Sequence, residues 1–299
     1  MKISVVIASY NAELVIEGCL QRLRNQQGSV DHEIIVADCS TDRTPNLIKS
    51  EFPHVSLLHF DSTMCLAELR ARAIRQSRGD IIAILDPYSM AGDDWLVSLV
   101  ALHEKHLHPV IGGSVDLHDK HRKNLLQWAQ YFNEYGMFMS PVSTVAAEIL
   151  PGSNISYKRH LLHTIIDGNE PAFWKTFIND ALIGRSDGML LSPAIRVSLD
   201  KPIPFLHFFK TRYLHGRCYA AMRCSKSSSV ERFLRAASSP LIPFVLQWRW
   251  GRTFWPKGHH RLRFVLTLPV QLILFCAWAL GECAGYLIGD GDSCSRLTY

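Results

Sequence analysis

The chain has 299 residues, 47% apolar and 20% charged, with a formal net charge of +5. That apolar content excludes a disordered chain, and the length allows one large domain or a domain with an appendage. The charge is uneven: residues 201–263 hold thirteen Lys/Arg against one acidic residue, Glu231, a local +12 that leaves −7 elsewhere.

From the N-terminus, Met1-Lys2 leads into an apolar run that breaks at Ser9-Tyr10-Asn11, too short for a secretory h-region. Ile3–Ala8 predicts a strand buried on both faces. Ala12–Gln26, with Val15, Ile16, Cys19, Leu20 and Leu23 in a stripe, predicts a helix. Glu33–Ala37, Val55–Phe60 and Ile81–Leu85 predict further strands. Thr44–Glu51, Leu66–Ser77 and Asp93–His106 predict helices between and after them. This alternation implies an α/β fold, a mostly parallel sheet flanked by helices. Residues 116–200 are less regular and read as α+β around a site. The eight cysteines show no paired or metal-ligand spacing and read as reduced thiols of a cytosol-facing protein.

Further along, Pro240–Trp250 ends in Gln-Trp-Arg-Trp, which suits an amphipathic piece at headgroup level. Phe264–Ile288 is a 25-residue run whose only charged residue is Glu282. A span needs about 20 apolar residues, so this run reads as a transmembrane or re-entrant helix, with a buried core helix as the alternative. Arg249, Arg252, Lys257, Arg261 and Arg263 precede it, and Asp290 and Asp292 follow it. The positive-inside rule then expects a membrane-associated protein with its catalytic domain in the cytoplasm. The resulting division is 1–200 catalytic, 201–263 basic and membrane-proximal, 264–288 apolar helix and 289–299 tail.

Ligands of open parallel sheets bind at the carboxyl ends of strands. Those ends here carry Ser9-Tyr10-Asn11, Asp38-Cys39-Ser40-Thr41-Asp42 and Asp86-Pro87-Tyr88. No GxGxxG, GxxxxGK[ST] or GxSxG occurs, which disfavours a dinucleotide fold, a P-loop NTPase and an α/β-hydrolase. Strand-end carboxylates suit accepting hydrogen bonds from a base or ribose, or holding a divalent cation against a diphosphate. Asp42 also fits as a helix N-cap before Pro45.

Four segments in order resemble family 2 glycosyltransferases: SVVIASYNAE at 4–13, EIIVADCSTDRT at 33–44, LRARAIRQSRGDIIAILD at 69–86 and PGSNISYKR at 151–159. The tail GYLIGDG at 285–291 also looks like membrane-proximal tails of some members. The resemblance implies a GT-A fold and transfer from a nucleotide-diphospho-sugar. On it, Ala8 and Tyr10 line the base, Asp38 accepts from the base, Arg70 lies near the nucleotide or diphosphate, and Asp86 approaches the ribose and a Mg²⁺ or Mn²⁺ ion. The sequence departs from the pattern twice. Asp86-Pro87-Tyr88 lacks the second carboxylate of the usual Asp-x-Asp, so a metal would depend on phosphates and water for its other ligands. The usual Glu-Asp pair is Trp174-Lys175, which leaves Glu170 or Asp180 as candidate base for an inverting attack. Arg212 and Arg217, in a basic-aromatic cluster, could neutralise the leaving diphosphate or meet anionic lipid. The expected partners are a nucleotide-sugar donor, membrane lipids and a lipid-linked or glycan acceptor, and no nucleic acid. The rival expectation is a catalytically silent membrane scaffold that keeps the fold.

Overall fold

A computed structural model describes residues 1–166, 172–183, 188–201, 204–225 and 227–297. The chain forms two compact units: residues 1–116 with 138–201, and residues 117–137 with 202–299. Residues 117–137 cluster with the C-terminal part.

In the first unit the elements run β1 (Ile3–Ser9), α1 (Ile16–Arg24), β2 (His32–Asp38), α2 (Thr44–Glu51), β3 (Ser56–His59), α3 (Leu66–Gln76), β4 (Ile81–Leu85), β5 (Ser89–Ala91), α4 (Trp95–Lys105) and β6 (Val110–Leu117). After α5 (Leu125–Glu134), which belongs to the second unit, come β7 (Val145–Ala147), β8 (Asn154–Lys158), α6 (Arg159–Ile166), α7 (Lys175–Ile183) and β9 (Met189–Leu199). Among the described residues these strands make a nine-stranded sheet in the order β3-β2-β1-β4-β8-β6-β9-β5, with β7 on β9. Every residue of β1 is buried, as a strand covered on both faces requires. Its neighbours β2 and β4, and β3 beyond β2, run parallel to it. The strand β8 pairs antiparallel with β4 and β6, as do β5 and β7 with β9. The antiparallel half is thus built largely from the segment that lacked a clear period. The N-terminal elements form as expected, with one late start. The helix predicted from Ala12 begins at Ile16, because the amides of Asn11, Ala12 and Glu13 are held by Ser40, Thr44 and Asp42 of the next loop.

Asn154 joins the two halves. It is fully buried, donates to the carbonyls of Ser114 on β6 and Ile195 on β9, and accepts from the Trp95 indole at 2.9 Å.

The second unit is helical: α5, α8 (Phe205–Arg223), α9 (Ser229–Ser238), α10 (Ile242–Phe254) and α11 (Arg261–Ile288). Phe132, Phe254 and Phe264 pack ring to ring, with centroids 4.6–5.3 Å apart. On α11, Gly281 and Gly285 lie one turn apart against the backbone of α8. A methyl at either would collide with the Tyr213 or Arg217 carbonyl, so a small-xxx-small face sets this close packing. The eight-thiol expectation is corrected here. Cys218 on α8 and Cys294 in the tail form a disulfide across 76 residues. A pair so distant in sequence leaves no local spacing signal.

Candidate functional site at the strand ends

Asp38 is the last residue of β2 and Asp86 directly follows β4, the two strands that flank β1. Two strand spacings separate these ends by about 10 Å. The register sets Asp38 opposite Ser9, and Ile7 opposite Leu85 just before Asp86, so both acids sit on one lip of the parallel sheet.

Asp38 is fully buried beneath this lip. Its Oδ1 accepts from Ser40 Oγ at 2.5 Å, and its Oδ2 meets Ser40 N at 3.1 Å and His59 Nδ1 at 2.8 Å. Ser40 Oγ in turn accepts from the amide of Asn11, and Asn11 Oδ1 accepts from the amide of Thr41 at 2.9 Å. Asn11 sits at φ 48°, a left-handed conformation that Asn tolerates better than most residues. The arrangement knits the loop after β1 to the loop after β2, with Tyr10 half-buried on it and Ala8 buried below. Asp42 proves to be bound locally: it accepts from Thr44 N at 3.0 Å and Glu13 N at 3.2 Å. The N-cap position of α2 is Arg43, so Asp42 stands one residue outside the cap expected of it; the roles of Ser40 and His59 around Asp38 left no signal in the sequence.

Asp86 is also buried. Arg70 on α3 donates to its Oδ1 at 2.6 Å, and the Tyr88 hydroxyl donates to its Oδ2 at 2.9 Å. Lys201 Nζ donates to the Tyr88 oxygen at 3.1 Å and lies 4.1 Å from the ring centroid. The pairing of β5 with β9, Ser89 opposite Leu199, brings Lys201 here, and Asp200 N donates to the Tyr88 carbonyl. Sequence reading missed Lys201 because 113 residues separate it from Tyr88. Below, burial and then the charge of Asp86 push the Cys19 thiol up to about 12, so it stays neutral and is no nucleophile.

Asp86 could offer a divalent cation one carboxylate, with donor phosphates and water as the remaining ligands. Its oxygens accept hydrogen bonds from Arg70 and Tyr88. The Arg70 guanidinium, the Lys201 ammonium on Tyr88 and the backbone of Asp200 stand around it. Among the described residues no three His, Cys, Asp or Glu side chains converge.

Of the candidate bases, Glu170 lies outside the described residues and Asp180 is exposed on α7. Nearby, Phe173 N donates to the Ala67 carbonyl at 2.7 Å, fixing the chain ahead of α7 against α3, the helix that carries Arg70. Lys175 Nζ is spent on the Leu150 carbonyl at 2.6 Å. Arg212 and Arg217 belong to the second unit. There the Arg212 guanidinium stands 4.5 Å from the Trp278 ring centroid, and Arg217 Nε donates to the Gly289 carbonyl at 2.9 Å.

The sequence model of glycosyl transferase family 2 matches residues 4–165, more than half of the chain. A Bacillus subtilis protein named as an uncharacterized glycosyltransferase, YfnE, is 31% identical over 117 residues, 38% of this chain and 30% of that protein. The chain spans only 26–30% of the length of the curated relatives it matches. Among solved structures, the mannosyltransferase PcManGT of Pyrobaculum calidifontis, in complex with GDP-Man and Mn²⁺, has a TM-score of 0.61 at 16% identity. The alignment covers 94% of this chain and 86% of that one. TarS 1-349 of S. aureus, in complex with UDP-GlcNAc, has a TM-score of 0.54 at 14% identity, covering 98% and 91%. At such identities the likeness is one of fold.

Proposed function

We propose a reaction from the premise that the chain belongs to glycosyl transferase family 2: transfer of a glycosyl group from a nucleotide-diphospho-sugar to an acceptor hydroxyl, with inversion. One observation carries the reading, the pair of acids on the lip of a parallel sheet with Arg70 bound to Asp86. The span of about 10 Å between the strand ends suits a nucleoside at one end and its diphosphate at the other. In this reading the base lies against the loop of Tyr10, with Asp38 holding that loop rather than touching the base. The diphosphate lies beside Arg70. Glu170 or Asp180 takes the acceptor proton as the hydroxyl attacks the anomeric carbon. The test is a thermal-shift screen of UDP- and GDP-sugars. A true donor at about a hundred times its Kd adds ~2.7 kcal/mol to the folded state. If no nucleotide-sugar moves the transition, the reading fails and the silent scaffold stands.

We further propose that the second unit rests on an anionic membrane surface and orients the reaction toward a lipid-linked or glycan acceptor. Support comes from exposed apolar side chains on α9 (Val230, Phe233, Leu234) and on or next to α10 (Leu241, Phe244, Val245, Trp248). Arginines stand among them, with Arg252 near the Trp248 ring and Arg261 near the Trp255 ring. Such side chains suit the headgroup boundary, where each cation adds ~1 kcal/mol on anionic lipid. α11 is long and apolar enough to cross a bilayer, yet 44% of its most apolar stretch is buried in the unit. Its partner α8 carries Lys210, Arg212, Arg217 and Arg223. Spanning with α8 attached would cost ~2.5–3.5 kcal/mol for each cation taken to mid-bilayer, so lying in the interface is favoured. We assign the cytoplasmic leaflet, where anionic lipid concentrates. The disulfide weighs against this leaflet, since cytosolic thiols reduce such bridges and Cys294 is only half-buried. The full chain should float with phosphatidylserine vesicles but not with neutral ones, and Phe244→Glu with Trp248→Glu should abolish flotation. Equal recovery with both vesicle types, or a double variant that floats like the wild type, would overturn this placement.

A further inference from the structure

We infer that the Cys218–Cys294 bridge is a redox latch, which holds the tail over Arg217 and, when reduced, releases that cation to the membrane surface. The inference rests on the membrane placement above. A disulfide in a protein that faces a reducing compartment is as a rule transient and redox-sensing rather than structural. The position of this one says what it controls. Helix α11 ends at Ile288, and Gly289 and Gly291, at φ 77° and 55°, turn the chain onto α8. Arg217 Nε donates to the Gly289 carbonyl at 2.9 Å, and a methyl at Gly291 would stand 2.8 Å from a terminal nitrogen of the same guanidinium. The next residue of α8, Cys218, carries the bridge. The tail therefore lies over the Arg217 guanidinium, and a covalent bond pins it there.

The closed tail depends on that bond. Ser293 is fully buried, and its hydroxyl has no hydrogen-bond partner among the described residues. A hydroxyl buried so costs free energy in the closed form, which the covalent link offsets. Cys218 is buried and Cys294 half-buried, so an attacking thiolate reaches the Cys294 sulfur. A thiolate of a dithiol reductant bonds to Cys294 Sγ, the S–S bond breaks, and its electron pair leaves on Cys218 Sγ, which takes up a proton. The reductant's second thiolate then attacks its own sulfur in the mixed disulfide, and Cys294 leaves as a thiolate and is protonated. The dithiol ends oxidised and both cysteines end as thiols. Arg217 is released at the end of α11 where α9 packs: Arg232 Nε donates to the Tyr286 carbonyl at 3.0 Å, and α9 carries the exposed Val230, Phe233 and Leu234. A guanidinium freed there meets the anionic headgroups.

The experiment uses the full chain, phosphatidylserine vesicles, and buffers with or without dithiothreitol. Hydrogen exchange reads the latch. The amides of Ser293, Arg296 and Leu297, which are bonded within the tail, should exchange faster in the reduced chain. Vesicle titration reads its use. The reduced chain should bind about fivefold tighter, the ~1 kcal/mol that one cation adds at an anionic surface. Cys294→Ser, at a half-buried position, should bind at the reduced level in both buffers. Adding Arg217→Gln to it should return binding to the level of the oxidised wild type. Tail amides that exchange alike in the two buffers overturn the inference. So does a released tail with unchanged vesicle affinity, or a double variant that keeps the gain. Each of these leaves the membrane placement standing. No vesicle binding in either buffer overturns the placement and the inference together.

Discussion

Asp86→Ala is expected to abolish glycosyl transfer and to destabilise the fold at the same time. Arg70 and Asp86 have side chains only 13% and 5% exposed, so truncating the acid takes the carboxylate away from a largely buried guanidinium. Removing one partner of such a pair costs about 3–5 kcal/mol, against about 5–15 kcal/mol for a typical domain. Loss of activity in that variant would not separate chemistry from unfolding. Asp86→Asn keeps the shape and an acceptor for one neighbour, so the fold should survive. It loses the charge that orders Arg70 and, through Tyr88, Lys201, and misplaced positioning groups cost ~10²-fold in rate. Asp38→Ala should act differently. It frees His59 and Ser40 and loosens the loop on which Tyr10 sits, so it should weaken donor binding more than turnover of bound donor. The base variants give the opposite split. Whichever of Glu170→Gln and Asp180→Asn removes the base should drop kcat ~10²–10⁴-fold with the donor-induced shift intact. The other should be silent. Wild-type rates in Asp86→Asn and Asp38→Ala together would defeat the assignment of the lip as the donor site.

The parallel half of the sheet was legible because its signal is local. Buried strands such as Ile3–Ser9 read as short β-rich runs, and the helices between them carry apolar stripes. Strand ends then indicate where a ligand lies, and Asp38, Arg70 and Asp86 follow from that rule and the resemblance together. The antiparallel half was not legible. Its strands β5 and β7 are three residues long, and β9 runs across the sheet to pair with both. Pairings of that range leave no period in the sequence, and they deliver Lys201 to Tyr88. The same reasoning explains the Cys218–Cys294 disulfide, fixed by the packing of α8 beside the tail. Tyr88 did offer a signal: it occupies the position two residues after Asp86 where a second carboxylate was expected.

Asn154→Ala should cost about 3–5 kcal/mol and report on structure alone. In the resemblance, this residue belongs to the segment PGSNISYKR at 151–159. Its side chain is fully buried and already holds three partners within the sheet. The amide nitrogen spends its hydrogens on the Ser114 and Ile195 carbonyls, at 2.9 and 3.2 Å, and the oxygen serves the Trp95 indole. Asn154 and Trp95 are fully buried, so truncation leaves an indole N–H without its acceptor in a place water does not reach. Gly113 packs against the Asn154 amide so closely that a Cβ there would collide with it, which leaves little room for another side chain to take over. Asn154→Asp is the sharper variant. It keeps the acceptor for Trp95 but turns an oxygen toward two carbonyls and buries a charge, so it should destabilise at least as much as alanine. Urea unfolding followed by tryptophan fluorescence measures both. A loss below about 1 kcal/mol for Asn154→Ala, with donor binding impaired, would mean that the residue serves the ligand and that the bridge between the sheet's halves lies elsewhere.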